Sequence, residues 1–146
     1  MSVETTSSLK TSRIINATRE EVFDAWTTPD QIRQWSAPEG ITVAQSDVDL
    51  REGGEYTLLM HAPDDKTHTA VGTYKEVTRP SRLVYTWDWK EEDSRMGDTL
   101  VTVEFNEMGE TTEVVITHEL FPNDEARDGH DMGWASCLNQ LEALFA

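Results

Sequence analysis

His130-Asp-Met-Gly133-Trp134-Ala-Ser-Cys137-Leu138-Asn-Gln-Leu141-Glu-Ala-Leu144-Phe145 is the stretch that decides the fold. Trp134, Leu138, Leu141 and Phe145 recur at spacings of four, three and four, which places them on one face of an α-helix. Upstream, from Ile41 onward, the apolar residues recur with period two, the spacing of strands. An apolar helical stripe has to be buried, and the large surface available to bury it is a sheet. A long helix held by a curved antiparallel sheet leaves a space between the two layers, and a functional site is expected there. Gly133 is expected to let the helix backbone approach the sheet closely.

The remaining elements follow from local signals. Leu9 to Ile15 reads as a first strand, and Thr18-Arg-Glu-Glu21 as a capping box opening a short helix with Val22, Phe23 and Trp26 on its apolar face. Thr28-Pro29 starts a second short helix carrying Ile32 and Trp35, which Pro38-Glu-Gly40 ends. Strands are expected over Ile41–Leu50, Glu55–His61, His68–Thr78, Arg82–Lys90, Asp98–Asn106 and Thr111–Leu120, with turns at Gly53-Gly54, Ala62–Thr67, Arg79-Pro80-Ser81 and Glu107–Glu110. The order β-α-α-β6-α describes one α+β domain over residues 1–146, with a disordered tail over 1–7. Alternation assigns Tyr56, Leu58 and Met60, then Leu83, Tyr85, Trp87 and Trp89, to inward faces. Val101, Val103 and Phe105 form a further inward set, as do Val114, Ile116 and His118.

Composition narrows the function classes. The 146 residues carry 28 Asp plus Glu against 12 Lys plus Arg, a formal net charge of −16. Such a surface repels phosphate backbones and anionic lipid heads, so nucleic acid and membranes are poor partners. Either an ordinary acidic protein or adaptation to high salt accounts for the charge, the former being the plainer reading. No apolar run approaches the roughly 20 residues of a membrane span, and the N-terminus lacks a secretory pattern. Cys137 is the one cysteine, which suits a reducing cytoplasm.

Several stretches together resemble the SRPBCC (START-like) superfamily, in particular the domain homologous to the activator of the heat-shock protein 90 ATPase. They are Asn16-Ala17-Thr18 through Val22-Phe23 and Trp26, Trp35-Ser-Ala-Pro38-Glu-Gly40, and Asp49-Leu-Arg51-Glu-Gly53-Gly54-Glu-Tyr56. Gly72-Thr-Tyr74-Lys-Glu76, Arg82-Leu-Val-Tyr-Thr-Trp87, Thr117-His118-Glu-Leu-Phe-Pro122, and Gly133-Trp134 with Leu138 and Leu141 complete the set. The resemblance implies a helix-grip fold, a sheet of about seven strands wrapped around the C-terminal helix, with an internal pocket and no shared catalytic set. Because this fold hosts lipid carriers, cyclases and co-chaperone modules, it speaks to architecture more than to activity.

Residue chemistry is weighed against plain structural roles. Gly53-Gly54 lacks the spacing of a phosphate loop and reads as a turn; Asp49 and Arg51 beside it read as a structural ion pair. His61 and His68 flank a six-residue loop containing Asp64 and Asp65 and are expected to face each other across the hairpin. Two histidines and a carboxylate are a potential divalent-metal set, but a solvated hairpin end is the plainer reading and no metal is expected. His118 shares a face with Val114 and Ile116 and is read as a core histidine or as a polar contact at the pocket wall. His130 is expected near the surface, and Cys137 buried and inert.

The aromatic residues carry the sharpest expectation. Ligand contacts are assigned to Trp35, Tyr56, Met60, Tyr74, Tyr85, Trp87, His118 and Trp134, without catalytic residues or a cofactor. The expected function is non-catalytic binding or sequestration of a small hydrophobic or aromatic molecule, by a monomer or homodimer. Stimulation of a heat-shock protein 90 type ATPase is the second reading, although the co-chaperones resembled here carry an additional N-terminal domain for which 146 residues leave no room. A cyclase- or hydrolase-like enzyme with His118 or Asp88 as acid or base is the third, although alternation puts Asp88 on the face opposite Trp87 and leaves His118 mostly alone.

Overall fold

The computed structural model describes residues 7–146, and the tail expected over 1–7 lies outside them except for Ser7, which opens the first strand. The elements run β1 (Ser7–Ile15), α1 (Arg19–Thr27), α2 (Pro29–Trp35), β2 (Thr42–Val48), β3 (Glu55–His61), β4 (Thr67–Thr78), β5 (Arg82–Trp89), β6 (Thr99–Met108), β7 (Thr111–Phe121) and α3 (Asp124–Leu144). Each expected element is present, with strand ends displaced by up to two residues and α3 opening at Asp124, ahead of the quoted stretch, and a short 3-10 turn at Glu92–Ser94 interrupts the β5–β6 loop. All seven strands form one antiparallel sheet in the order β1-β7-β6-β5-β4-β3-β2. Only the β1–β7 pairing joins strands distant in sequence. This is the α+β helix-grip arrangement.

Local chemistry sets the element ends. Thr18 caps α1 reciprocally with Glu21: the Glu21 N–H donates to Thr18 Oγ1 (3.3 Å) and the Thr18 N–H to Glu21 Oε1 (3.2 Å). Pro29 occupies the first turn of α2, where its missing N–H is no loss. Asn123 caps α3 by accepting from the Ala126 N–H at 2.8 Å. Gly54 is required by close approach, since a Cβ there would lie 2.0 Å from the Asp49 carbonyl oxygen. The Asp49–Arg51 ion pair beside it (2.9 Å) is exposed and holds only this turn.

The inward sets read from alternation are the core. Val101, Val103, Phe105, Val114, Ile116 and His118 on β6 and β7 are sealed from solvent, as are Leu138 and Leu141 of α3. Arg13 of β1 ties down the same C-terminal half of α3 through Asn139 (2.7 Å) and Glu142 (3.0 Å). Leu138→Ala is expected to cost about 2–5 kcal/mol, because both the transfer energy and an unfilled void count against the variant. Chemical denaturation measures it, and a loss below about 1 kcal/mol would show that α3 is not clamped at this point.

Candidate functional site

The clamp on α3 does not extend along its length. Its N-terminal half stands off the sheet over a cavity of about 340 Å³. The sheet side is walled by Tyr56, Leu58 and Met60 of β3, Tyr74 of β4, and Leu83, Tyr85, Trp87 and Trp89 of β5. Trp26, Ile32 and Trp35 of the short helices close one side, and α3 contributes Ala126, Gly129, His130, Gly133, Trp134 and Cys137. Gly133 therefore does not draw the helix onto the sheet: a Cβ there would meet nothing nearer than Pro38 Cγ at 3.8 Å, and at Gly129 nothing within 4 Å. A more open cleft shares Pro38, Met60, Trp89, Glu125, Ala126 and His130 with this cavity and runs to the β5–β6 loop at Asp93–Met96.

Seven of the eight residues assigned to ligand contact line this cavity, namely Trp35, Tyr56, Met60, Tyr74, Tyr85, Trp87 and Trp134. His118 does not. It is fully buried behind Trp134, whose Nε1–H donates to His118 Nδ1 at 3.1 Å. That leaves the ring proton on Nε2, facing Thr99 Oγ1 at 2.8 Å, while the Thr99 hydroxyl donates to the Trp87 carbonyl oxygen at 2.5 Å. Both ring nitrogens are thus committed. Burial, with His130 nearby, pushes the His118 pKa down to about 3.

His130, expected near the surface and given no role by the sequence, is half-buried and joins the cavity wall. It accepts from the Trp87 Nε1–H at Nε2 (3.2 Å), and its Nδ1–H donates to the Ala126 carbonyl (2.9 Å). The four-residue step from His130 to Trp134 was the available signal, since it places both on one helical face. Its partner on β5 is set only by tertiary structure. Two reciprocal bonds result: a helix tryptophan to a sheet histidine, and a sheet tryptophan to a helix histidine.

The other polar tips of the walls are mostly turned away or engaged. Trp35 Nε1–H donates to the Ala25 carbonyl at 2.9 Å, and Tyr56 donates to the Thr86 carbonyl at 2.5 Å. That last bond depends on Gly72, where a Cβ would lie 1.9 Å from the Thr86 carbonyl oxygen and 2.5 Å from the Tyr56 hydroxyl. Cys137 is buried and its thiol is pushed up to about 12 by burial, so it stays protonated near neutrality. Asp88 lies on the face opposite Trp87, as alternation requires, and its carboxylate accepts from the Trp89 and Met96 N–H groups at 2.8 Å, bracing the β5–β6 loop.

His61 and His68 do not face each other. The β3–β4 register pairs His61 with Thr67 and Met60 with His68, so the two histidines point to opposite faces. Among the described residues, no group of three His, Cys, Asp or Glu side chains is placed to hold a metal ion.

Comparison with known proteins places this architecture. The family model for Activator of Hsp90 ATPase homolog 1-like protein matches residues 16–146. The chain belongs to that family. No curated protein matches it. Among solved structures, a protein of Chromobacterium violaceum is similar at 25% identity, covering 94% of this chain and 96% of that one, with a TM-score of 0.84. The AHSA1 protein of Silicibacter pomeroyi is similar at 26% identity, with 94% and 96% covered and a TM-score of 0.81. A protein of Rhizobium leguminosarum is 26% identical, with 96% and 94% covered and a TM-score of 0.82. Membership of the Activator of Hsp90 ATPase homolog 1-like family fixes the fold of this chain rather than its activity. Among its described residues, no helix is long and apolar enough to cross a membrane.

The state of His118 makes a pH prediction. Its folded pKa of about 3 lies below the ordinary value of 6.5, so below pH 6.5 the unfolded chain binds the extra proton. The stabilisation is full above about pH 6.5 and is lost as pH falls toward 3. Between pH 7 and pH 5 this one group is expected to remove about 2 kcal/mol. In paired denaturant titrations the His118→Gln variant should lose that much less than the parent, whatever the acidic surface contributes to both. Equal losses would mean that His118 titrates normally in the folded protein.

Proposed function

We propose that the cavity binds one small hydrophobic or aromatic molecule, which the protein carries or sequesters without transforming it. The observation that carries this reading is the mismatch between the two walls. The sheet presents Tyr56, Tyr74, Tyr85, Trp87 and Trp89, whereas α3 faces them with His130 and Trp134 spaced among the small residues Ala126, Gly129, Gly133 and Cys137. A helix-interior glycine costs about 1 kcal/mol relative to alanine. Gly129 and Gly133 lie one turn apart, and a Cβ would meet nothing within 4 Å at the exposed Gly129 and only Pro38 Cγ, at 3.8 Å, at Gly133, so both leave room for a larger side chain. The volume falls at the lower end of the roughly 300–1,000 Å³ common for small-molecule sites, which are likewise apolar with a few polar groups.

Catalysis finds less support. His118, the acid–base candidate, has both nitrogens engaged and is protonated only in strong acid. The Cys137 thiol has no thiolate character near pH 7. A cytoplasmic location suits a lone buried cysteine.

Binding is tested by titrating tryptophan fluorescence with fatty acids, aromatic compounds and polyketides, since Trp26, Trp35, Trp87, Trp89 and Trp134 all border the cavity. Gly133→Leu should fill the space from α3, raise stability by up to about 1 kcal/mol, and abolish the ligand-dependent change. A variant that folds and still binds would move the ligand elsewhere.

The family description supplies a second reading, stimulation of an Hsp90-type ATPase. A strongly acidic surface suits docking on a basic partner. The ATPase rate of the cognate chaperone, measured with excess protein, decides it: an increase supports the reading and an unchanged rate rejects it.

A further inference from the structure

The deep wall of the cavity carries hydroxyl groups that the protein itself does not use. Tyr74 and Tyr85 are register partners across β4 and β5, with ring centroids 6.0 Å apart, and both line the cavity. They are only 4% and 6% exposed. Tyr56, the third ring of this cluster, spends its hydroxyl on the Thr86 carbonyl. Tyr85 accepts from the Trp26 Nε1–H at 3.3 Å, but its own O–H meets no acceptor among the described residues. The Tyr74 hydroxyl is bonded to no described residue, and burial alone raises its pKa. Among the described residues the sealed polar side-chain atoms without a partner are Arg19 Nε and Ser36 Oγ, so the Tyr74 hydroxyl opens into the cavity, where an acceptor can reach it. Two unreturned donors on one wall of an apolar cavity are a site for an acceptor.

Charge narrows the acceptor. Glu125 is the one formally charged side chain among the lining residues, and it lies at the end shared with the outer cleft. His130 is neutral near pH 7, its pKa lowered by burial, with both nitrogens engaged. A carboxylate driven into this wall would be desolvated with no cation against it, which is prohibitive beside the cost for a neutral carbonyl.

We propose that the ligand is a neutral, carbonyl-bearing aromatic molecule whose oxygen accepts hydrogen bonds from the Tyr74 and Tyr85 hydroxyls while its rings lie against the tryptophan and tyrosine walls. The proposal rests on the cavity's being a ligand site. It names the polar group that fixes orientation there and excludes fatty acids as the preferred class.

Three naphthalene probes of similar shape test it by isothermal titration calorimetry on the full chain: 2-acetonaphthone, 2-ethylnaphthalene and 2-naphthoate at pH 7.5. The ketone is expected to bind about tenfold more tightly than the hydrocarbon, the worth of roughly one to two buried hydrogen bonds, and more tightly than the acid. In Tyr74→Phe/Tyr85→Phe the ketone-to-hydrocarbon affinity ratio should fall to about one. Tyr74→Phe alone should lower that ratio in part without lowering the melting temperature, because the hydroxyl it removes bonds to nothing in the folded protein; this single variant serves if the double one does not fold. Saturable binding of ketone and hydrocarbon with equal affinity, or preference for the acid, overturns the proposal and leaves the cavity a ligand site. Absence of binding by all three removes the cavity reading and the proposal with it.

Discussion

The structure depends on how α3 is held: clamped at one end and propped at the other. Leu138 and Leu141 are sealed against the sheet, and Arg13 of β1 fastens the same half through Asn139 and Glu142. Toward its N-terminus the helix is kept at a distance by two histidine–tryptophan bonds, Trp134 to His118 and Trp87 to His130. A prop of this kind has to be rigid and neutral. Indole offers one directed N–H, a neutral imidazole offers one acceptor, and each histidine is locked in its tautomer by a second partner. Protonation of either ring would set N–H against N–H and remove the prop.

Much else follows from that spacing. With the helix away from β3–β5, the aromatic face of the sheet lacks the side chains that would otherwise cover it, and the cavity is the remainder. Small residues on α3 maintain it from one side, while Gly72 maintains it from the other by letting Tyr56 lie flat against the backbone and spend its hydroxyl there. Tyr56, Tyr74 and Tyr85 then form one cluster, with centroids 5.4–6.0 Å apart, in which one hydroxyl is consumed by the fold and two remain available. The Asp88 carboxylate, on the other face of β5, braces the loop that borders the outer cleft. One strand thus supplies cavity wall from its inner face and loop support from its outer one.

Membership of the Activator of Hsp90 ATPase homolog 1-like family is compatible with either a ligand-binding or a co-chaperone role. The two make different demands. Docking on a chaperone needs an outer surface. Binding a small molecule needs an interior space, and the glycines of α3 leave one beside the aromatic face of the sheet. Relatives about 25% identical over nearly the whole chain carry the same fold.

The sequence by itself determined the element order, the antiparallel sheet and the inward faces. These rest on local signals: the capping box at Thr18 and Glu21, proline at the start of α2, and the change of period from two to 3.6. It also determined seven of the eight assigned residues that line the cavity, because alternation fixes which face of a strand an aromatic occupies. Tertiary structure decided the rest. Whether His118 faced the cavity or stood behind Trp134 turned on where a helix lies relative to a distant strand, and no local pattern encodes that distance. His130 acquired its partner in the same way. His61 and His68 were separated by a register one residue from the one that would align them, and a single-residue step in a strand reverses the face. Periodicity specifies direction from a backbone; only packing between layers specifies what that direction meets.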